Sequence, residues 1–294
     1  MSSDGIENGR LILVGNFLSE AVVAKRGLSD RNPAGSNRMA RLATSMKSQG
    51  CQVTVLSSAV SWRMKGRAGQ LLFRKEREVH GFGEVVYSSA VGKKMIGVVF
   101  EPIFYLMAFR ELVRAQRPSQ ILFYSYSPMM LPMLIYSRFI ARISHALDLE
   151  DIARPEWGDW KSEVEVRPIQ QIVYSAAMKL FLLFTKRLVV PTARFKQYVS
   201  KKKKVLVITG CLSSDDFHAP TEDTDSIVHV LFGGKLHAEH GLFVFLEAAK
   251  LMNQRQHSSL NFRFHICGRG VRGGEIESFI ARHALSNVTF HGFV

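Results

Sequence analysis

Three short stretches place groups that can bind anions or handle protons. Residues 232–236 read Phe-Gly-Gly-Lys-Leu, and Glu239-His240-Gly241 follows. A glycine turn between a strand and a helix offers backbone N–H groups, and a helix N-terminus with a nearby cation holds phosphate. Gly234 permits close backbone approach and Lys235 adds a positive charge. His240 is charged only part of the time near neutral pH. The plain alternative is a strand–turn–helix with a surface Lys and a surface His. The second stretch is Ala34-Gly35-Ser36. Gly35 and Ser36 read either as a second phosphate-facing turn or as a turn glycine and a helix cap. The third is Glu150-Asp151, after the apolar run Ala146–Leu149. Carboxylates at the carboxyl end of a parallel strand lie where open α/β sheets put their ligands. There they can orient a hydroxyl or steady positive charge. Equally, they form a loop pair with Arg154.

The elements that position these residues alternate between short β-branched runs and amphipathic helices, the pattern of an α/β fold with a parallel sheet. Leu11–Gly15 predicts the first strand, with a polar loop after it. A helix opens near Ser36 with Met39, Leu42, Ala43 and Met46 on its buried face, and Gly50 ends it. Gln52–Leu56 is the second strand, and residues 57–94 give no assignable pattern. Helices follow over 102–116, 128–143 and 169–184, and strands over 121–124, 146–149, 188–190 and 205–208. The acidic, polar stretch around 213–226 breaks the pattern. A second α/β set then runs through strands 228–232, 262–266 and 288–290. The expected organisation is a domain over 1–212, a linker over 213–226 and a second, incomplete domain over 227–294.

Composition narrows the setting. Apolar residues make up 47% of the 294 and charged residues 22%, the mix of a folded protein. Cys51, Cys211 and Cys267 form no metal spacing, and their sparse, odd count fits a reducing, cytoplasmic compartment. No run reaches the ~18 apolar residues of a spanning helix. The net charge is +14, with ten Lys or Arg and no acid from Val166 to Ser214. Such a face attracts phosphates on lipid, nucleic acid or nucleotide, or is simply a solvated surface. Nucleic acid is the weakest of these, since no nucleic-acid-binding motif is present. Between Ser61 and Arg117, eleven basic residues are interleaved with Trp62, Phe73, Phe100, Phe104, Tyr105 and Phe109. That mixture suits an anionic membrane surface on the inner face. The alternative buries most of these rings in the core.

The order of the motifs resembles the retaining GT-B glycosyltransferases of family four. Phe232-Gly233-Gly234-Lys235-Leu236, Glu239-His240-Gly241 and Glu247-Ala248-Ala249 are similar to that family's strand, Gly-Arg-Leu turn and Glu-Lys-Gly helix start. Phe264–Gly270 resembles its strand and Gly-x-Gly, and Val288–Val294 its Val-x-Phe-x-Gly strand. Ile208-Thr209-Gly210 resembles the interdomain linker. The resemblance implies two Rossmann-like domains, a nucleotide-sugar donor, and a lipid-linked or polysaccharide acceptor in bacterial surface glycan synthesis. It implies a diphosphate held by Gly35, Ser36, Gly234, Lys235 and His240, and Glu150 and Asp151 at the reacting sugar. It implies no metal and no cofactor. Lys235 replaces the family Arg and loses its planar fork, and His240 replaces the family Lys. The family's paired donor-site glutamates, eight positions apart, have no counterpart in context. Glu76 with Glu84 and Glu239 with Glu247 share only the spacing. The alternative is therefore a non-catalytic chain, or one subunit that a second chain completes.

Overall fold

The computed structural model describes residues 9–28, 33–58, 72–91, 94–150, 168–210, 227–236, 241–254, 261–270 and 273–293. They fall into two compact units, one holding the described residues up to 210 and the other those from 227.

The first unit contains β1 (Arg10–Gly15), α1 (Glu20–Arg26), α2 (Pro33–Ser48), β2 (Gln52–Ser57), β3 (Leu72–Phe73), β4 (Glu76–His80), β5 (Gly83–Tyr87) and β6 (Ala90–Val91). It continues with α3 (Lys94–Gln116), β7 (Gln120–Tyr124), α4 (Leu131–Ile135), β8 (Ser144–Asp148), α5 (Pro168–Phe184), β9 (Arg187–Val190) and β10 (Lys204–Val207). Eight strands form one sheet in the order β10-β9-β8-β7-β1-β2-β5-β4. All neighbours are parallel except β4, which returns antiparallel along β5. Parallel strands need cover on both faces, and the alternation of β1 supplies it. Ile12 and Val14 pack with Tyr105, Phe109 and Phe181 on one side. Leu11 and Leu13 pack with Val22, Met39 and Ala43 on the other.

Several elements differ from the sequence expectation. The loop expected after β1 holds α1, whose Ser19 hydroxyl accepts from the Val22 amide at 3.1 Å and which ends at Gly27 with φ 61°. α2 opens at Pro33, so Ser36 lies inside its first turn and does not cap it. Its hydroxyl accepts instead from the Leu18 amide at 3.0 Å, pinning the loop after β1. The unassigned stretch 57–94 contributes β3 to β6. α3 begins two turns before the expected Pro102 and keeps that proline inside it. The helix expected over 128–143 is three pieces: a 3-10 turn (Pro128–Met130), α4, and a π turn (Tyr136–Ile140).

α3 runs from the carboxyl ends of the strands back to their amino ends. Near its start the Tyr105 hydroxyl donates to the carbonyls of Gly15 and Leu56, at 2.8 and 3.0 Å. At its end the Gln116 carbonyl accepts from Arg10, the first residue of β1. Tyr105 and Phe109 are fully buried and Phe73 nearly so. Three of the aromatics weighed for a membrane surface are therefore core. Trp62 lies outside the described residues.

The second unit contains β11 (Ile227–Lys235), α6 (Leu242–Gln254), β12 (Asn261–Arg269), α7 (Gly273–Arg282) and β13 (Val288–Gly292). Its strands pair in parallel in the order β11-β12-β13. Leu242, Leu246 and Ala249 of α6 and Ile276 of α7 form a core with Phe264, Ile266 and Val288.

Candidate functional site

In the first unit, the carboxyl end of β8 carries a charged cluster. Arg38 comes from the second turn of α2. Its Nε and Nη2 lie 3.3 Å from Asp148 Oδ2 and Oδ1, and its Nε lies 2.7 Å from Glu150 Oε1. Asp148 is fully buried. Burial pushes its carboxyl above the usual range, and Arg38, then Glu150, oppose that push. One guanidinium therefore holds two carboxylates at the strand end, where the sheet geometry favours a ligand. Glu150 thus finds Arg38. Arg154 and Asp151 lie outside the described residues. Sequence reading missed both Arg38 and Asp148. The only available signal was an Arg two residues after Ser36 and an Asp inside an apolar strand.

Gly35 and Ser36 are both buried in the first turn of α2. The Ser36 hydroxyl accepts from the Leu18 amide and so anchors the loop after β1, a bond that does not use its own O–H. The loop after β1 is also fixed to the end of β2, through Ser57 Oγ donating to the Phe17 carbonyl at 2.6 Å.

One turn before Tyr105, α3 carries Glu101, which is 4% exposed. Its carboxyl lies over Gly97, where a Cβ would meet Glu101 Oε1 at 2.7 Å. Among the described residues no cation or donor reaches it, and burial alone raises it to about 7. A rise of 1.5 Å per residue puts it ~6 Å beyond the ends of β1 and β2.

In the second unit, β11 ends in Gly233-Gly234-Lys235. Gly234 has φ 142°, a region open to glycine, and a Cβ there would meet open space. Gly268 on β12 has φ 153°, and a Cβ on it would stand 1.8 Å from the Gly234 carbonyl oxygen. The strand thus runs on to Lys235 where the sequence predicts a turn, and this glycine end is tightly backed on one side and free on the other. α6 opens at Leu242, with the Phe245 amide donating to the Gly241 carbonyl at 3.0 Å. The Lys235 backbone continues the strand. Its side chain and all of His240 lie outside the described residues.

The other pairs with eight-residue spacing do structural work. Glu76 binds the buried Arg26 at 3.1 Å, and Glu84 pairs with Arg77 at 2.9 Å. Glu247 is exposed beside Lys250 at 3.5 Å.

The outer face of β11, β12 and β13 carries His229, His265 and His291 in a row. His229 Nδ1 lies 2.8 Å from His265 Nε2, and His265 Nδ1 lies 2.9 Å from His291 Nε2. The nitrogens meet one another and do not converge on a point. Among the described residues no group of three or more His, Cys, Asp or Glu is arranged to hold a metal ion. No described helix is long and apolar enough to cross a membrane.

No protein-family model matches the chain, and no curated protein matches it in sequence. Solved structures do. The chain is similar to a sucrose-phosphate synthase from Thermosynechococcus elongatus (TM-score 0.62, 13% identity, 98% of this chain and 71% of that one). It is similar to TarM (TM-score 0.61, 9% identity, 97% and 77%). It is also similar to the lipopolysaccharide outer core galactosyltransferase WaaB without ligand (TM-score 0.52, 10% identity, 97% and 68%). At these identities the likeness is one of fold: an α/β architecture of Rossmann-like parallel sheets, as in GT-B glycosyltransferases.

Proposed function

We propose that the chain is a glycosyltransferase. It moves a sugar from a nucleotide-sugar donor to a glycan or lipid-linked acceptor in bacterial surface glycan synthesis, with retention of configuration as the resemblance implies. The observation that carries this reading is the glycine end of β11 at Gly234. It is open on one face and backed by Gly268, with α6 opening at Leu242, in a fold that glycosyltransferases share.

In this reading the diphosphate takes backbone N–H groups at the start of α6 and the charges of Lys235 and His240. Negative charge grows on the departing diphosphate, so donors fixed there lower the barrier. Within the first unit, the resemblance gives Gly35 and Ser36 a phosphate-facing place in the first turn of α2. Glu150, steadied by Arg38, and Asp151 orient the acceptor hydroxyl or stabilise positive character at the sugar carbon. No metal is required, because helix ends and cations meet the diphosphate charge.

Calorimetry with UDP and GDP, and then with their sugar conjugates, tests the reading. One nucleotide binds, Lys235→Ala weakens it by about tenfold or more, and NMR of the product shows the donor's anomeric configuration. Absence of binding by either nucleotide to the wild-type chain defeats it. The alternative, one subunit of a two-chain enzyme, draws on the outer face of the second unit, where Leu231 is 66% exposed. It gives nucleotide binding only after a second chain is added.

A further inference from the structure

The amino-terminal end of the first unit's sheet holds a cavity of about 570 Å³ that the transferase reading does not use. Arg138, Arg142, Lys186 and Arg187 line it, together with Ser144, His145, Phe139 and Phe184. Ser144 opens β8 and Arg187 opens β9, whereas Asp148 closes β8. At ~3.3 Å per residue, the cavity and the Arg38 cluster are ~13 Å apart along that strand.

Its electrostatics are one-sided. Among the described residues none of the four cations is in an ion pair, and the segments that form this end lack acids altogether. No Asp or Glu occurs from Leu112 to Leu147, or from Val166 to Ser214. The turn before β10 adds exposed Lys201 and Lys202. Lys203 is excluded, since its ammonium donates to the carbonyls of Leu182 and Thr185 and closes the end of α5. Cations at helix ends are favoured by the helix dipole, which accounts for Arg142 and Lys186 singly. It does not account for Arg187, which opens a strand, or for the absence of every acid. Burial holds the His145 ring below the usual range, the carbonyls of Ile143 and Phe184 oppose that, and Arg138 pushes with burial.

The rim is apolar. Phe139 is 55% exposed, Ile140 67% and Leu183 71%, with Ile135 beside them on α4. Isolated exposed apolar residues need no explanation, but here Phe139 and Phe184 line the hollow with their rings 5.4 Å apart, and the exposed Ile140 and Leu183 adjoin them in sequence. The Arg138 guanidinium lies over the Phe139 ring, 5.6 to 6 Å being the ordinary range for such a contact, here 5.9 Å. A free phosphate has no use for this rim, and a nucleic-acid backbone gains nothing from Ile140 or Leu183. A phospholipid uses both parts.

We propose that this cavity takes the phosphate of an anionic phospholipid headgroup, with Phe139, Ile140 and Leu183 dipping into the acyl boundary. The first unit then docks on the bilayer by the amino ends of β8 to β10. Within the stretch 61–117, weighed for that role from sequence, the described residues leave Phe100 and Ile103 of α3 exposed. The proposal stands independently of the transferase reading.

Co-sedimentation of the full chain with vesicles tests it. The chain is retained on phosphatidylcholine–phosphatidylglycerol vesicles and not on phosphatidylcholine alone, and added salt releases it. Each lost cation is worth ~1 kcal/mol near such a surface, so Arg142→Gln/Arg187→Gln binds roughly 30-fold more weakly. Lys186→Gln gives the single-charge effect should the double variant fail to fold by circular dichroism. Phe139→Ser/Leu183→Ser lowers retention and leaves the salt dependence in place. UDP binding by the double variant equals that of wild type. Equal retention on neutral vesicles overturns the proposal, as does indifference to both charge variants. So does calorimetric binding of inorganic phosphate as tight as that of the vesicles, or retention by an RNA oligonucleotide with none by either vesicle.

Discussion

The guanidinium of Arg38 spans both oxygens of Asp148, with Nε and Nη2 each 3.3 Å from its partner. Because Asp148 is fully buried, the pair joins α2 to the end of β8 through a charge that has no water to fall back on. Removing one partner of a buried pair leaves the other uncompensated and costs about 3–5 kcal/mol. Arg38→Met is therefore expected to lower unfolding stability by about that amount in urea titrations. Arg38→Met/Asp148→Leu recovers part of the loss, because the fully buried charge is gone and only the partly exposed Glu150 is left without Arg38. If the single and double variants unfold alike, the pair is not the link between these elements.

Glu101 gives stability a pH dependence of known sign. Burial raises its carboxyl from 4.5 to about 7 in the folded chain. Between those values the unfolded chain has released the proton and the folded chain still holds it. Stability thus falls as pH rises from about 4.5 to about 7, and the loss is complete above that. The 2.5-unit difference corresponds to ~3 kcal/mol. Glu101→Gln, which stays neutral, gains about that much over wild type at pH 8 and almost nothing at pH 4. Thermal melts across this range read the difference directly, and parallel pH profiles for the two proteins refute it.

Much of this was legible in the sequence, and the misses have definite causes. The strand cores were readable because Leu11–Val14 and Gln52–Leu56 are β-branched runs bounded by glycine or polar residues. α1 was not, although Ser19 and Gly27 bracket it, because seven residues hold too few turns to show a period. The hairpin of β4 and β5 was hidden by charge. Glu76, Arg77 and Glu78 break the apolar alternation of a stretch that gave no assignable pattern, yet Glu76 neutralises the buried Arg26. Gly234 and Gly268 were legible as glycines following the runs Val228–Phe232 and Phe262–Ile266, but not that both strands run on past them, to Lys235 and Arg269. Arg38 meeting Asp148 across 110 positions could not be read at all, because only the strand order β8-β7-β1 brings them together.

Gly268 is predicted to be far less replaceable than Gly233. A Cβ at Gly268 would stand 1.8 Å from a backbone carbonyl oxygen, on a φ of 153° that side chains avoid. Gly233 has open space and no such φ. Gly268→Ala should cost ~2–4 kcal/mol through strain and displaced backbone, and it should carry Gly234 out of position. Nucleotide affinity then falls at least tenfold in calorimetry, whereas Gly233→Ala stays within about 0.5 kcal/mol of wild type in stability. Equal tolerance of the two alanines means that β12 does not back Gly234.

The histidine row makes the second unit sensitive to acid. His265 stands between the other two rings, 2.8 Å from His229 Nδ1 and 2.9 Å from His291 Nε2. Desolvation first, then His229, His291 and Arg263, hold His265 below its usual range. The unfolded chain protonates it near 6.5, so that side chain binds its proton less readily in the folded unit and stability drops as pH falls through that value. Only three strands and two helices support this sheet among the described residues, and Leu231 and Val244 remain exposed, so the opening free energy is small. Hydrogen exchange in β11 to β13 should accelerate from about pH 7.5 to about pH 5 by more than the intrinsic rate change. The core of β1, β2 and β7 should show no such excess, and His265→Gln should abolish it. Acceleration that is the same in both units, or that survives His265→Gln, places the sensitivity elsewhere.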